Sequence, residues 1–253
     1  MPKYDLEFSS SYMNAAGSLG FIPPLGAPEL ARLGAFITNP LSSKPRAPTH
    51  SPQAIPFPGV FLLHTGYPNP GLKTAVQRYA DHWARMQIPV IVHLLCEQPA
   101  DLPEMLVKLE RTNAVMAVEL SLPPNTGPEN LFTFAQAAAG ELPVILRVST
   151  DQVVGFLDPI TRLINNKEIS ALSLGPPRGL LPASAGRLVH GRLYGPALFP
   201  QALSTIQTLA RMGIPVIGGG GVYSLEQAEI VLAAGALAIQ LDTVLWRGHL
   251  PEN

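Results

Sequence analysis

Cysteine is almost absent from this chain. Its one thiol, at Cys96, excludes an intramolecular disulfide, a cysteine-based zinc cage and iron–sulfur ligation, which all need several thiolates. No metal site is expected. Charge is scarce as well: charged residues make up 14% of the chain, well below the usual share of about a quarter. A formal net charge of −1 leaves no basic footprint for nucleic acid. So little surface charge fits burial in a homo-oligomer, in the simplest case a dimer; a surface rich in Ser, Thr, Gln and Pro explains it equally. Long apolar runs are missing too. None approaches the roughly 18 residues of a membrane span, and the start, MPKYDLEFSSSYMNAAG, has no apolar signal-peptide core. The expectation is a cytoplasmic protein with a small-molecule substrate and neither nucleic acid nor membrane as partner.

What is present is apolar mass. The chain has 253 residues, 47% of them hydrophobic, enough for a large core in one α/β barrel or two small domains. Its most informative stretch runs from Leu193 to Thr243. The Tyr194-Gly195-Pro196 turn leads into an amphipathic run from Ala197 to Met212. A short apolar strand, Ile214 to Ile217, ends in the four glycines Gly218 to Gly221. Ser224 precedes a helical run from Leu225 to Ala234, and a last strand, Ala236 to Leu241, ends at Asp242-Thr243. Glycines after a strand let backbone N–H groups approach an anion, and the next helix adds its dipole, so the stretch reads as a phosphate seat. The plainer alternative is a tight strand-to-helix turn.

The remaining pattern predicts strands at Ala35–Thr38, Phe61–Leu63, Ile88–Leu95, Ala114–Leu120, Pro143–Val148 and Ile169–Leu174. Helices are expected between them: Leu72–Met86, with Val76, Tyr79, Ala80 and Trp83 on one face, then Leu102–Arg111, Glu129–Ala139 and Asp151–Asn165. Tyr4–Phe8 and Tyr12–Asn14 suggest a hairpin capping the barrel, and Pro28–Leu33 a short helix. Asn39–Pro58, with six prolines, and Gly175–Arg192 read as long loops. Near-continuous apolar strands are typical of parallel strands buried on both faces. Eight of them alternating with helices predict a single (β/α)8 TIM barrel over residues 1–253, with an N-terminal hairpin and a short C-terminal end. Only ten residues follow Thr243, so strand 8 needs cover from a partner subunit, the N-terminal segment or a neighbouring helix.

At this point the sequence resembles the dihydroorotate dehydrogenase family, FMN-containing TIM barrels. The segments that carry the resemblance are YMNAAGSLGF (Tyr12–Phe21), GAFITNPLSSKPR (Gly34–Arg46), TGYPNPG (Thr65–Gly71) and GPALFPQAL through LDT (Gly195–Thr243). The resemblance implies FMN as cofactor, with Ala15, Ala16, Gly17, Asn39, Arg147, Gly195, Gly219, Gly220, Gly221 and Thr243 around it. It also exposes departures. The family's first-strand lysine falls at Asn39, and an asparagine falls near Leu63. Its fourth-strand asparagine and cysteine or serine base fall in Glu119–Asn125, with the base at Pro123 or Pro124. Its fifth-strand lysine falls at Arg147, and a sixth-strand asparagine near Gly175. Asp242 stands where the family usually has glycine beside the phosphate. Proline accepts no proton, and oxidising dihydroorotate needs a base, so dihydroorotate is not the expected substrate.

Among the residues themselves, Arg147 and Glu119 sit late in core strands, where charge is costly without a partner. They read as a catalytic pair or, equally, as a structural ion pair. His64 and Tyr67 follow the second expected strand. His64 is a candidate proton donor or a loop hydrogen-bonder. Cys96 reads as a small buried residue, and His93 as packing. The arginines of the two long loops suit an acidic substrate, or simply solvent. Three readings therefore stand: an FMN-dependent oxidoreductase-like barrel with an altered substrate site, a cofactor-free phosphate-binding lyase or isomerase, and a non-catalytic flavin- or phosphate-binding remnant.

Overall fold

The computed structural model describes residues 6–23, 32–183, 186–247 and 250–251. In chain order the first strands are β1 (Tyr12–Asn14), β2 (Phe36–Ile37), β3 (Gln53–Phe57) and β4 (Val60–His64). Helix α1 (Leu72–Ala84), β5 (Val90–Leu95), α2 (Leu102–Glu110), β6 (Val115–Ser121), α3 (Leu131–Ala137), β7 (Val144–Ser149) and α4 (Leu157–Asn165) follow. Then come β8 (Ala171–Gly175), β9 (Arg178–Pro182), β10 (Leu188–Tyr194), α5 (Phe199–Arg211), β11 (Val216–Gly219), α6 (Leu225–Ala233) and β12 (Ala238–Leu241).

Eight strands form one parallel sheet in the order β1-β12-β11-β8-β7-β6-β5-β2. A parallel bridge between Met13 and Ala35 joins its two ends, so the sheet closes into the expected TIM barrel. Period-two alternation builds its two layers. Val90, Val92 and Leu94 point outward to the helices, while Ile91 and His93 point inward. The inward layer alternates small and large side chains, Ala35, Ala117, Ala171 and Ala238 with Ile37, Ile91, Ile145 and Ile217. That is how an eight-stranded interior is filled. Helix α1 packs outside through Leu72, Ala75 and Trp83, and the Trp83 indole N–H donates to the Phe21 carbonyl at 2.8 Å.

Two expectations about strands are corrected. Tyr12–Asn14 is not part of a capping hairpin: it is a barrel strand, paired in parallel with β12 through Met13 and Gln240. Phe61–Leu63 is not a barrel strand. It lies in β4, inside a second, antiparallel sheet of order β3-β4-β10-β9. The two long segments read as loops supply the other three strands of this sheet. Pro56 is tolerated in β3 because β3 is an edge strand, whose outer N–H groups need no partner. Pro58 and Gly59, the latter at φ 75°, make the β3–β4 turn. Of the expected Tyr4–Phe8 and Pro28–Leu33 elements, residues 4–5 and 28–31 lie outside the described residues, and Leu6–Phe8 forms no strand. All four residues of β12 are buried within the chain, so its cover comes from its own neighbours. Among the described residues no helix is long and apolar enough to cross a membrane.

Candidate active site

The barrel interior turns polar one layer above the Ala/Ile layer. Glu119 on β6 is fully buried. Its Oε2 lies 2.5 Å from His93 Nδ1 on β5, and its Oε1 accepts from Ser173 Oγ on β8 at 2.7 Å and from Gln240 Nε2 on β12 at 2.5 Å. Arg147 on β7 donates through Nη1 to both Glu119 oxygens, at 3.2 and 3.1 Å, and to Gln240 Oε1 at 2.7 Å. Five strands thus contribute one polar side chain each to a single network. A carboxylate in such a place survives only if its lone pairs are filled. Burial alone raises the Glu119 carboxyl, but the Arg147 guanidinium, His93 and Ser173 outweigh it and hold it well below the usual carboxylate range. Burial lowers His93 more than Glu119 raises it. The imidazole is therefore neutral and donates from Nδ1, and the formal ion pair is Glu119 with Arg147. His93 Nε2 has no partner among the described residues.

Above this network the antiparallel sheet and the loops after the barrel strands enclose two cavities. The first, of about 540 Å3, is lined by Arg147, Ser121, Pro123, Pro124, Gly175, His64 and the arginines Arg46, Arg178 and Arg192, among others. The second, of about 320 Å3, is lined by Ala16, Gly17, Asn39, Asp242 and Thr243, with Trp246 at its side. Leu63, Thr65, Tyr67 and Arg192 line both. Tyr67 has φ 54°, rare for a residue with Cβ, and its ring lies under the Arg192 guanidinium, 3.4 Å from the centroid. Holding a non-glycine residue there costs about 1–3 kcal/mol, which the stacked arginine helps offset.

The expected site residues separate into groups. Arg147 and Glu119 meet, as an ion pair with Glu119 sealed below the cavity. His64 lines the first cavity at the end of β4 and takes no part in the Glu119 network. Ala16, Gly17, Asn39 and Thr243 gather at the second cavity; Ala15 is buried beside them, its N–H donating to the Leu241 carbonyl at 2.6 Å. Asn39 Oδ1 accepts the Gly20 N–H at 3.1 Å. Gly195 and Gly219–Gly221 line neither cavity. A Cβ on Gly218 would meet Val231 and Ile206, and one on Gly221 the Phe199 backbone, so these glycines admit close helix packing. Cys96 donates to the Gln98 carbonyl at 3.0 Å, and burial, with Asp101 close by, pushes its thiol up to about 12. His93, read as packing, is instead a member of the network, as are Ser173 and Gln240. Their signal is visible in the sequence: polar residues at inward positions of otherwise apolar strands.

Several donors around the phosphate seat are already in use. Ser224 Oγ accepts the Gln227 N–H at 3.2 Å, and Gln227 Oε1 accepts the N–H groups of Ser224 and Tyr223 at 3.3 and 2.7 Å, a full capping box on α6. Asp242 Oδ1 accepts the Thr243 N–H at 2.5 Å and the Thr243 hydroxyl at 3.1 Å. The Thr243 hydroxyl also meets the Tyr223 hydroxyl at 2.6 Å. Burial raises the Asp242 carboxyl against the pull of the Thr243 contacts.

No family model matches the sequence. Dihydroorotate dehydrogenase B (NAD(+)), catalytic subunit, of Geobacter sulfurreducens is 30% identical over 255 residues, covering 91% of this chain and 82% of that protein. The chain belongs to the dihydroorotate dehydrogenase family. The corresponding subunit of Pelobacter propionicus is 29% identical over 262 residues, 94% of this chain and 84% of its own length. That of Pyrococcus furiosus is 26% identical over 250 residues, 87% of this chain and 79% of its own. Among solved structures, a ligand-free dihydroorotate dehydrogenase from Eimeria tenella superposes with a TM-score of 0.79 at 15% identity. It covers 98% of this chain and 84% of that one. At that identity the likeness speaks for the fold, and it agrees with the closed barrel above. Membership in the dihydroorotate dehydrogenase family makes the contents of the two cavities the question that decides function.

Proposed function

We propose that this chain is an FMN-dependent oxidoreductase-like barrel of the dihydroorotate dehydrogenase family whose substrate half has been rebuilt, so that dihydroorotate is not its substrate. The observation that carries this reading is the lining of the first cavity. Pro123 and Pro124 stand there in the loop after β6, and Gly175 at the end of β8. Neither a proline nor a glycine side chain can take a proton or hydrogen-bond a planar amide. A site built for such hydrogen bonds discriminates strongly, and a site without them does not.

FMN, when bound, supplies the two-electron acceptor. The chain's own residues supply charge and cover. Arg147 lines the first cavity and, among the described residues, makes all its hydrogen bonds through Nη1, which leaves Nε and Nη2 as donors to a group above it. Glu119 and Gln240 fix its orientation. His64, at the end of β4, lines the first cavity within reach of a bound molecule. Tyr67, under Arg192, lines both cavities. At the phosphate end the fit is incomplete. Gly17 and Thr243 suit an anion, but the Asp242 carboxyl takes the Thr243 donors for itself.

That last observation favours a second reading, a cofactor-free barrel. Purification separates the two. Yellow protein that releases FMN on denaturation supports the first reading; colourless protein that FMN does not stabilise against heat supports the second. Robust dihydroorotate oxidation would refute the rebuilt substrate site. The low share of charged residues also suggests a homo-oligomer, which sedimentation would test.

A further inference from the structure

β9 and β10 pair in a register that sets Arg178 directly opposite Arg192. Opposed residues share one face of a hairpin, with Cβ atoms about 5 Å apart, and like charges at such positions repel. Both arginines line the first cavity. The other charges there are already balanced: Arg46 pairs with Glu97 at 2.5 Å, and Arg147 with Glu119. Among the described residues, neither Arg178 nor Arg192 forms an ion pair. The nearby carboxylate, Asp151, accepts the backbone N–H of Arg178 at 3.2 Å, not its guanidinium. Arg192 makes only long contacts to hydroxyls, Nε to Tyr194 at 3.4 Å and Nη2 to Thr65 at 3.3 Å, besides its stack on Tyr67. Partial desolvation at the cavity wall, and then Arg192, lower the Arg178 guanidinium from its ordinary value against a smaller opposing pull from Tyr67 and Asp151. A cavity with two uncompensated guanidinium groups thus sits in a chain whose net charge is −1.

We infer that Arg178 and Arg192 together clamp the acidic group of the small molecule that enters the first cavity, an oxyanion of the carboxylate or phosphate kind. Two planar forks converging from opposed strands match the paired oxygens of such a group. The stack on Tyr67 holds one fork in place before the ligand arrives, which lowers the entropy cost of binding. Arg147 lies deeper in the same cavity and offers Nε and Nη2 to a second polar group. This inference takes the first cavity as the substrate site, as proposed above, and needs no bound flavin.

The test is an anion titration of the full chain in phosphate-free buffer at constant ionic strength set with chloride. Inorganic phosphate and malonate are added separately, and thermal denaturation is followed. At least one of the two should raise the midpoint saturably where chloride does not, and the preferred one identifies the acidic group. Arg178→Ala should weaken that response about tenfold or more, the loss of one charge-assisted contact. Arg178→Glu should abolish the response and raise the midpoint of the anion-free protein, because Arg192 then gains a carboxylate. Arg178 is exposed on an edge strand, so these variants are expected to fold, and circular dichroism checks it. No saturable response in the wild type overturns the inference. So does a chloride response of equal size, or an unchanged response in both variants. Failure of the oxidoreductase reading would show separately, as absent flavin with the anion titration intact.

Discussion

Asp242 is the residue whose replacement should change cofactor binding most. Its Oδ1 sits 2.5 Å from the Thr243 nitrogen and 3.1 Å from the Thr243 hydroxyl, so a phosphate using those donors must displace the carboxylate or lie beside it. Two unit charges about 4 Å apart at an effective dielectric near 20 repel by roughly 4 kcal/mol. At about 1.4 kcal/mol per decade that is nearly a thousandfold in affinity. Burial raises the Asp242 carboxyl, so part of the repulsion is relieved by protonation, and the expected gain on Asp242→Gly is on the order of a hundredfold. Asp242→Asn removes the charge but leaves an oxygen on the Thr243 donors, so it should gain only about tenfold. Losing the Thr243 hydrogen bonds should cost Asp242→Gly about 1 kcal/mol of stability, offset in part by no longer burying a carboxylate. Fluorescence quenching of FMN, titrated with wild type and both variants near neutral pH, measures this directly. Binding by Asp242→Gly within about threefold of wild type, well under one decade, would refute the argument.

Other consequences follow from the same contacts. Glu119→Ala strands Arg147 in the barrel, so it should cost about 3–5 kcal/mol in urea denaturation. For a chain of this size that lowers the thermal midpoint by roughly 6–20 °C; a loss under about 1 kcal/mol would mean water reaches Arg147 freely. Glu119 and Asp242 should give opposite pH slopes. The folded Glu119 carboxyl titrates below its unfolded value, so its contribution is present above about pH 4.3 and lost as pH falls further. The folded Asp242 carboxyl titrates above its unfolded value, so its contribution is present below about pH 3.9 and lost as pH rises through the folded value. Asp242→Asn should therefore flatten the decline above about pH 4 while leaving the acid limb intact. Cys96, its thiol pushed up to about 12, should react with thiol reagents at mildly alkaline pH only as fast as the protein opens; immediate stoichiometric modification of native protein would contradict its burial.

The barrel is legible because its strands are buried on both faces. IPVIV around β5 and VMAVEL around β6 read as parallel strands from composition alone. The antiparallel sheet is not legible in that way. β9 alternates exposed with partly buried residues, β3 does so except at its exposed last pair, and the prolines in and around β3 imitate a loop. Phe61–Leu63 misleads for the opposite reason: its apolar run resembles a barrel strand, although it packs over the mouth. β1 is three residues long, too short to show a period, and its place follows from pairing with β12 and from the Met13–Ala35 bridge. At the site, the meeting of Arg147 and Glu119 is readable from adjacent strands of charged residues in apolar company. The roles of His93, Ser173 and Gln240 depend on register around a closed barrel, which no local window contains. The opposed pair Arg178 and Arg192 likewise exists only once the β9–β10 register is known.

The central claim is that the dihydroorotate dehydrogenase framework persists here with a flavin-type cofactor half and a substrate half that no longer serves dihydroorotate. The most direct measurement is single-turnover spectroscopy of the purified protein reconstituted with excess FMN and mixed anaerobically with dihydroorotate. The account predicts that FMN binds, more tightly in Asp242→Gly, and that its absorbance stays oxidised after dihydroorotate is added. Rapid bleaching of the flavin by dihydroorotate would contradict it.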